Sequence, residues 1–248
     1  MPFILPIVMV TSGTTERALR LVVDNTSFRT RVLTKNAVVG SERWVRFFGD
    51  HPGRFVVGLS TGTTDDGWAS RVEVGTSAPT GRLRALRNLQ EAGVPTYGML
   101  CPVFPDMMAA DGVERLVERI RPDLVEHVWA EPFNDRGNWR SVRDGYEVGA
   151  PGRAWMEAAF DGPRVKTDVA WSRHATELYL RLRRVAERDG WLPKLRYLLY
   201  EGRIVQRDAQ AFTGLYGVLL QGKPTSEGKS ANPWIAAAQA TGEHDGGS

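Results

Sequence analysis

Apolar positions along this chain fall by turns into short unbroken runs and into stripes spaced three or four residues apart. The runs, bounded by turn residues, predict buried strands, and the stripes predict amphipathic helices. Residues 3–10 form the first run, weakened in its first half by Pro6. Thr14 or Thr15 then caps a helix that carries Ala18, Leu19, Val22 and Val23 inward. Residues 31–34 are the next strand. Ser41 caps a short helix with Trp44, Phe47 and Phe48 on one face, closed by Gly49 and Pro52. Residues 55–60 are an apolar strand, and the Gly-, Thr- and Asp-rich residues 61–76 predict a loop. Ser77-Ala78-Pro79 opens a helix whose Leu83, Leu86 and Leu89 share one face, with Arg82, Arg84, Arg87, Gln90 and Glu91 toward water. Gly93 and Pro95 stop it, and residues 94–103 return as a strand.

Asp111 and Glu114 fit a capping box ahead of a stripe at Val113, Leu116, Val117 and Ile120. Residues 124–130 form a further strand, with Glu131-Pro132-Phe133-Asn134 at its carboxyl end. Residues 135–152 read as a long loop and 153–160 as a short helix. Residues 171–189 carry the clearest helical stripe, with Arg173, Arg181, Arg184 and Arg188 on its outer faces. Residues 195–200 suit a strand or a helical turn, 208–220 a helix, 222–233 a loop and 234–240 a last helical turn. Five alternations of strand and helix predict an α/β fold with a parallel sheet and right-handed crossovers. The simplest form is a partial (β/α) TIM-type barrel over residues 1–150, with a mostly helical carboxyl-terminal extension over 151–240 packed on it. Residues 241–248 are a polar, disordered tail.

Composition changes this picture little. The 248 residues suit one large domain or two small ones, and 42% hydrophobic with 25% charged residues is ordinary for a globular protein. The net charge of +3 is small and the arginines are dispersed, so nucleic acid as a partner gains only weak support. The single cysteine, Cys101, excludes an internal disulfide and suits a reducing cytoplasm. No apolar run approaches the ~20 residues of a membrane span, and no membrane partner is expected.

In α/β sheets chemistry gathers at the carboxyl ends of the strands. Lys35, Ser60, Pro102 and Glu131 all fall at such ends. The Lys35 ammonium can meet a carboxylate or ribose oxygens, or simply sit in solvent. Ser60 can donate and accept at the same ligand, or merely open a loop. Glu131 and Asn134 form a polar cluster suited to substrate binding or general-base work, unless Arg136 or Arg140 takes up the carboxylate. Cys101 reads as a small hydrophobe. His51, His127, His174 and His244 lack metal-ligand spacing, so no metal site built from His and Cys is expected.

The stretch from Leu33 to Pro105 also carries a resemblance. Leu33-Thr34-Lys35-Asn36, Gly58-Leu59-Ser60, Arg71-Val72-Glu73, Pro79-Thr80-Gly81-Arg82-Leu83, Ala92-Gly93-Val94-Pro95 and Cys101-Pro102-Val103-Phe104-Pro105 occur in that order. The set resembles the radical S-adenosylmethionine (radical SAM) enzymes, spore photoproduct lyase-like branch, over roughly the first two-thirds of the chain. The resemblance implies a DNA-repair-lyase-like activity, with Lys35 and Ser60 contacting S-adenosylmethionine and Glu73 and Arg82 supporting that site. It also implies a 4Fe-4S cluster held by a Cys-x3-Cys-x2-Cys loop. This chain lacks those cysteines, so it should not cleave S-adenosylmethionine reductively by itself. The expectation is a fragment, one half of a split enzyme whose partner chain supplies the cluster loop, or a degenerate member. Two other readings stand beside it: a TIM-barrel hydrolase pairing Glu131 with Asp65 or Asp66, and a non-catalytic interaction subunit.

Overall fold

The structure, a computed structural model, describes residues 3–4, 13–134, 137–212, 218–220 and 235–236. The chain divides into two compact units, Met1–Val103 with Arg115–Trp129, and Phe104–Glu114 with Ala130–Ser248. It is an α/β protein with parallel strands.

In the first unit β1 (Phe3–Ile4), β2 (Thr30–Thr34), β3 (Phe55–Ser60) and β4 (Thr96–Val103) lie side by side in chain order, every pair parallel. All six residues of β3 are buried, as a strand covered on both faces requires. Its register sets Gly58 against Tyr97. A Cβ at Gly58 would run into the Tyr97 ring, and one at Gly98 into Ile120. These glycines leave room for the large side chains that fill the sheet face and the helix behind it. The helices are α1 (Thr14–Asn25), α2 (Glu42–Gly49), α3 (Asp66–Val72) and α4 (Pro79–Glu91). Trp44, Phe47 and Phe48 of α2 pack with Phe55 as an aromatic cluster. Gly93, at φ 72°, takes the left-handed position that ends α4.

The boundary between the units runs through α5 (Gly112–Ile120) and β5 (Val128–Pro132). The second unit adds α6 (Trp139–Asp144), α7 (Pro151–Phe160), the 25-residue α8 (Arg164–Arg188), β6 (Leu195–Leu199), α9 (Gln206–Ala209) and β7 (Val218–Leu220). β6 pairs in parallel with β7. Leu178, Tyr179, Leu182, Val185 and Ala186 of α8 are buried. The Tyr197 hydroxyl of β6 donates to the Ala175 carbonyl at 2.6 Å. No helix among the described residues is long and apolar enough to cross a membrane.

Several expectations need correction. Residues 61–76 hold α3, because the Asp65 carboxylate caps it by accepting from Trp68 N at 2.8 Å. Residues 135–152 hold α6, and α8 starts seven residues before its apolar stripe does. β5 begins at Val128, after a 3-10 turn at Pro122–Leu124, which puts Glu131 inside the strand. Ala18 is exposed on α1, which opens from Gly13. Arg82 is wholly buried rather than facing water. Within 208–220 the chain makes short turns and then a strand, with the extended residues contributed to a sheet. The strand expected at 3–10 lies outside the described residues beyond Ile4. So do His244, Arg136, the loop at 222–233, most of the turn at 234–240 and the tail at 241–248.

Candidate functional site

Two polar networks form where the sequence places strand ends. The first belongs to the first unit. β2 closes on Thr34, whose hydroxyl accepts from Asn36 N at 2.9 Å, while Asn36 Oδ1 accepts from Val38 N at 3.0 Å. This local turn fixes the backbone of Lys35. Ser77, just before α4, stitches on from the other side. Its N–H donates to the Lys35 carbonyl at 3.1 Å, and its hydroxyl accepts from Ala37 N at 2.8 Å.

Arg82, in the first turn of α4, is the centre of the network. Its guanidinium donates to the Ser77 carbonyl at 2.6 Å, the Ser60 carbonyl at 3.0 Å and the Thr76 hydroxyl at 2.6 Å, and forms an ion pair with Glu73 at 2.7 Å. A guanidinium tolerates full burial only when its fork of donors is occupied in this way. Glu73, the residue that ends α3, receives Lys35 on its other oxygen. Burial pushes the Glu73 carboxyl up, but the charges and hydrogen bonds of Lys35 and Arg82 outweigh it and hold the group below its ordinary value.

One carboxylate therefore faces two cations, and the triad carries a net positive charge. The Arg82 side chain is 0% exposed and that of Glu73 6%, whereas that of Lys35 is 33% exposed. The surplus charge reaches solvent at Lys35. Ser60 is buried and its hydroxyl donates to the Cys101 carbonyl at 2.7 Å, which ties the end of β3 to β4. The structure thus brings Lys35, Ser60, Glu73 and Arg82 into one network.

The second network belongs to the second unit. Trp171 of α8 donates to the Phe133 carbonyl at 2.7 Å and holds the backbone just past β5. Its ring meets Tyr200 edge-on, with centroids 6.3 Å apart. Tyr200 in turn donates to Glu131 Oε1 at 2.8 Å, and Asn134 donates to the same oxygen. Glu131 and Asn134 are together, with Tyr200 as a third member. Tyr200 lies 69 residues away in sequence, in a segment whose conformation the sequence leaves undecided. The capping bond of Asp65, and the bond from Thr80 N to Asp66 at 2.9 Å, engage both acids in holding α3 and α4.

The groups that the resemblance implies can be tested against these residues. A half-exposed ammonium on a positive triad suits the carboxylate of S-adenosylmethionine. A 4Fe-4S cluster does not fit this chain. Its one cysteine is buried in β4, and no group of three His, Cys, Asp or Glu side chains gathers among the described residues. Neither a family model, nor a curated protein, nor a solved structure matches the chain.

Proposed function

We propose that this chain provides the S-adenosylmethionine-binding site of a radical SAM-type (β/α) barrel of the spore photoproduct lyase-like branch, with the cluster cysteines supplied by a partner chain. The supporting observation is the positive Lys35–Glu73–Arg82 triad at the carboxyl ends of adjacent parallel strands. In this reading Lys35 pairs with the ligand carboxylate. Arg82 and Glu73 hold Lys35 in place, Ser60 shapes the strand end, and Glu131 and Asn134 bind polar groups of the substrate. The unreversed strand order of β1 to β4 suits winding into a barrel, as opposed to a doubly wound sheet with a switch point.

Calorimetric titration with S-adenosylmethionine tests this. The expected result is saturable binding that weakens about tenfold, about 1.4 kcal/mol, in Lys35→Ala. S-adenosyl-L-homocysteine, which keeps the carboxylate, should compete. Absence of binding, or binding indifferent to Lys35→Ala, overturns the reading.

A further inference from the structure

The second unit contains a cavity of about 560 Å³ that neither network uses. That is ample for a small ligand. Ala150, Gly152, Ala158 and Ala170 give it flat walls of small residues. Gly152 is required there, because a Cβ would press into the Tyr146 ring. Tyr146 and Trp155 supply the aromatic surface, and Tyr146 is held by donating to Asp106 at 2.8 Å. A slot with small-residue walls and two aromatic rings takes a planar ring system.

The polar groups narrow the ligand further. His174 lines the cavity against Trp155, with ring centroids 4.3 Å apart. It is 4% exposed, and its Nε2 has no hydrogen-bond partner among the described residues. A buried polar atom left so is costly. Arg173 and Glu177 also line the cavity, one turn apart on α8 and both exposed. Residues four apart on a helix are neighbours, yet no ion pair joins these two, and neither is engaged by another group among the described residues. They offer a cation and an anion side by side. A phosphate-bearing ligand would meet Glu177 and Asp106 as well as Arg173, so the balance of charge disfavours it.

The geometry points to a binding site for a free aromatic α-amino acid, with the ring in the slot, the α-carboxylate on Arg173 and the α-ammonium on Glu177. This site belongs to the second unit and does not rest on the reading given above.

The test is titration of the full chain with L-tryptophan, tryptamine, indole-3-propionate and adenosine monophosphate, followed by Arg173→Ala and Glu177→Ala. Both side chains are exposed, so both variants should fold. L-Tryptophan should bind at least about tenfold more tightly than tryptamine or indole-3-propionate, each of which lacks one charge. Arg173→Ala should remove the preference over tryptamine, and Glu177→Ala the preference over indole-3-propionate. Preference for adenosine monophosphate, absence of L-tryptophan binding, or binding unchanged in both variants overturns the proposal.

Discussion

Arg82 makes the most demanding set of contacts in the first unit. Replacing it with Met keeps the bulk but leaves the Ser60 and Ser77 carbonyls and one Glu73 oxygen without a donor. Breaking a buried pair from one side costs about 3–5 kcal/mol. Arg82→Met should lower the unfolding free energy by that order, measured by urea denaturation at neutral pH. Adding Glu73→Gln should cost less than the sum of the two single changes, since the two residues share one interaction. A fully additive double variant would show that they act independently. The sequence could not supply this burial. Helical spacing sets Leu83, Leu86 and Leu89 inward and leaves Arg84 and Arg87 exposed, as observed, but Arg82 borders the stripe. Its fate is decided by Glu73, Thr76 and Ser77 in the preceding loop, and no helical period contains them. Tyr200 escapes the sequence for the same reason, since its partner Glu131 belongs to a distant strand.

Strands and long helices are legible here because they repeat. β3 is an unbroken apolar run, and Val113, Leu116, Val117 and Ile120 bury one face of α5. α3 and α6 escape because their seven and six residues are too few to establish a period. The seven residues of α3 are better announced by Asp65, an N-cap with Asp66 in the first turn. Asp65→Ala should cost about 0.5–2 kcal/mol, the ordinary value of such a cap. It should also loosen Glu73 at the far end of α3, and faster amide hydrogen exchange at Glu73 and Lys35 in this variant would report that loosening. The pairing of β3 with β4 gives a sharper test. Gly58→Ala forces a methyl against the Tyr97 ring, which is anchored by its hydroxyl on the Val32 carbonyl at 3.2 Å and covered by Arg31 at 4.7 Å. Overpacking of this kind costs about 1–3 kcal/mol. An equally stable Gly58→Ala protein would mean that the ring can move aside, and the tight fit assigned to this sheet would be lost.

Each unit carries a buried titratable group, and the two respond to acid in different ranges. Burial lowers His174, in the second unit, from 6.5 to about 3. The folded chain keeps this ring neutral where the unfolded chain takes up a proton. Its contribution to stability is therefore present above pH 6.5 and is lost as the pH falls from there toward 3, by about 1.4 kcal/mol per pH unit. Glu73, in the first unit, is held below 4.5, so its contribution is lost only as the pH falls below that value. The order of acid failure follows. Hydrogen exchange followed by mass spectrometry should show α8 losing protection between pH 6.5 and 4.5, while β2, β3 and α4 keep theirs until lower pH. His174→Phe retains a ring against Trp155 and should flatten the first phase alone, whereas Glu73→Gln should flatten the second alone. Loss of protection in both units at one pH, unchanged by His174→Phe, would mean that the chain unfolds in acid as a single cooperative body governed by other carboxylates.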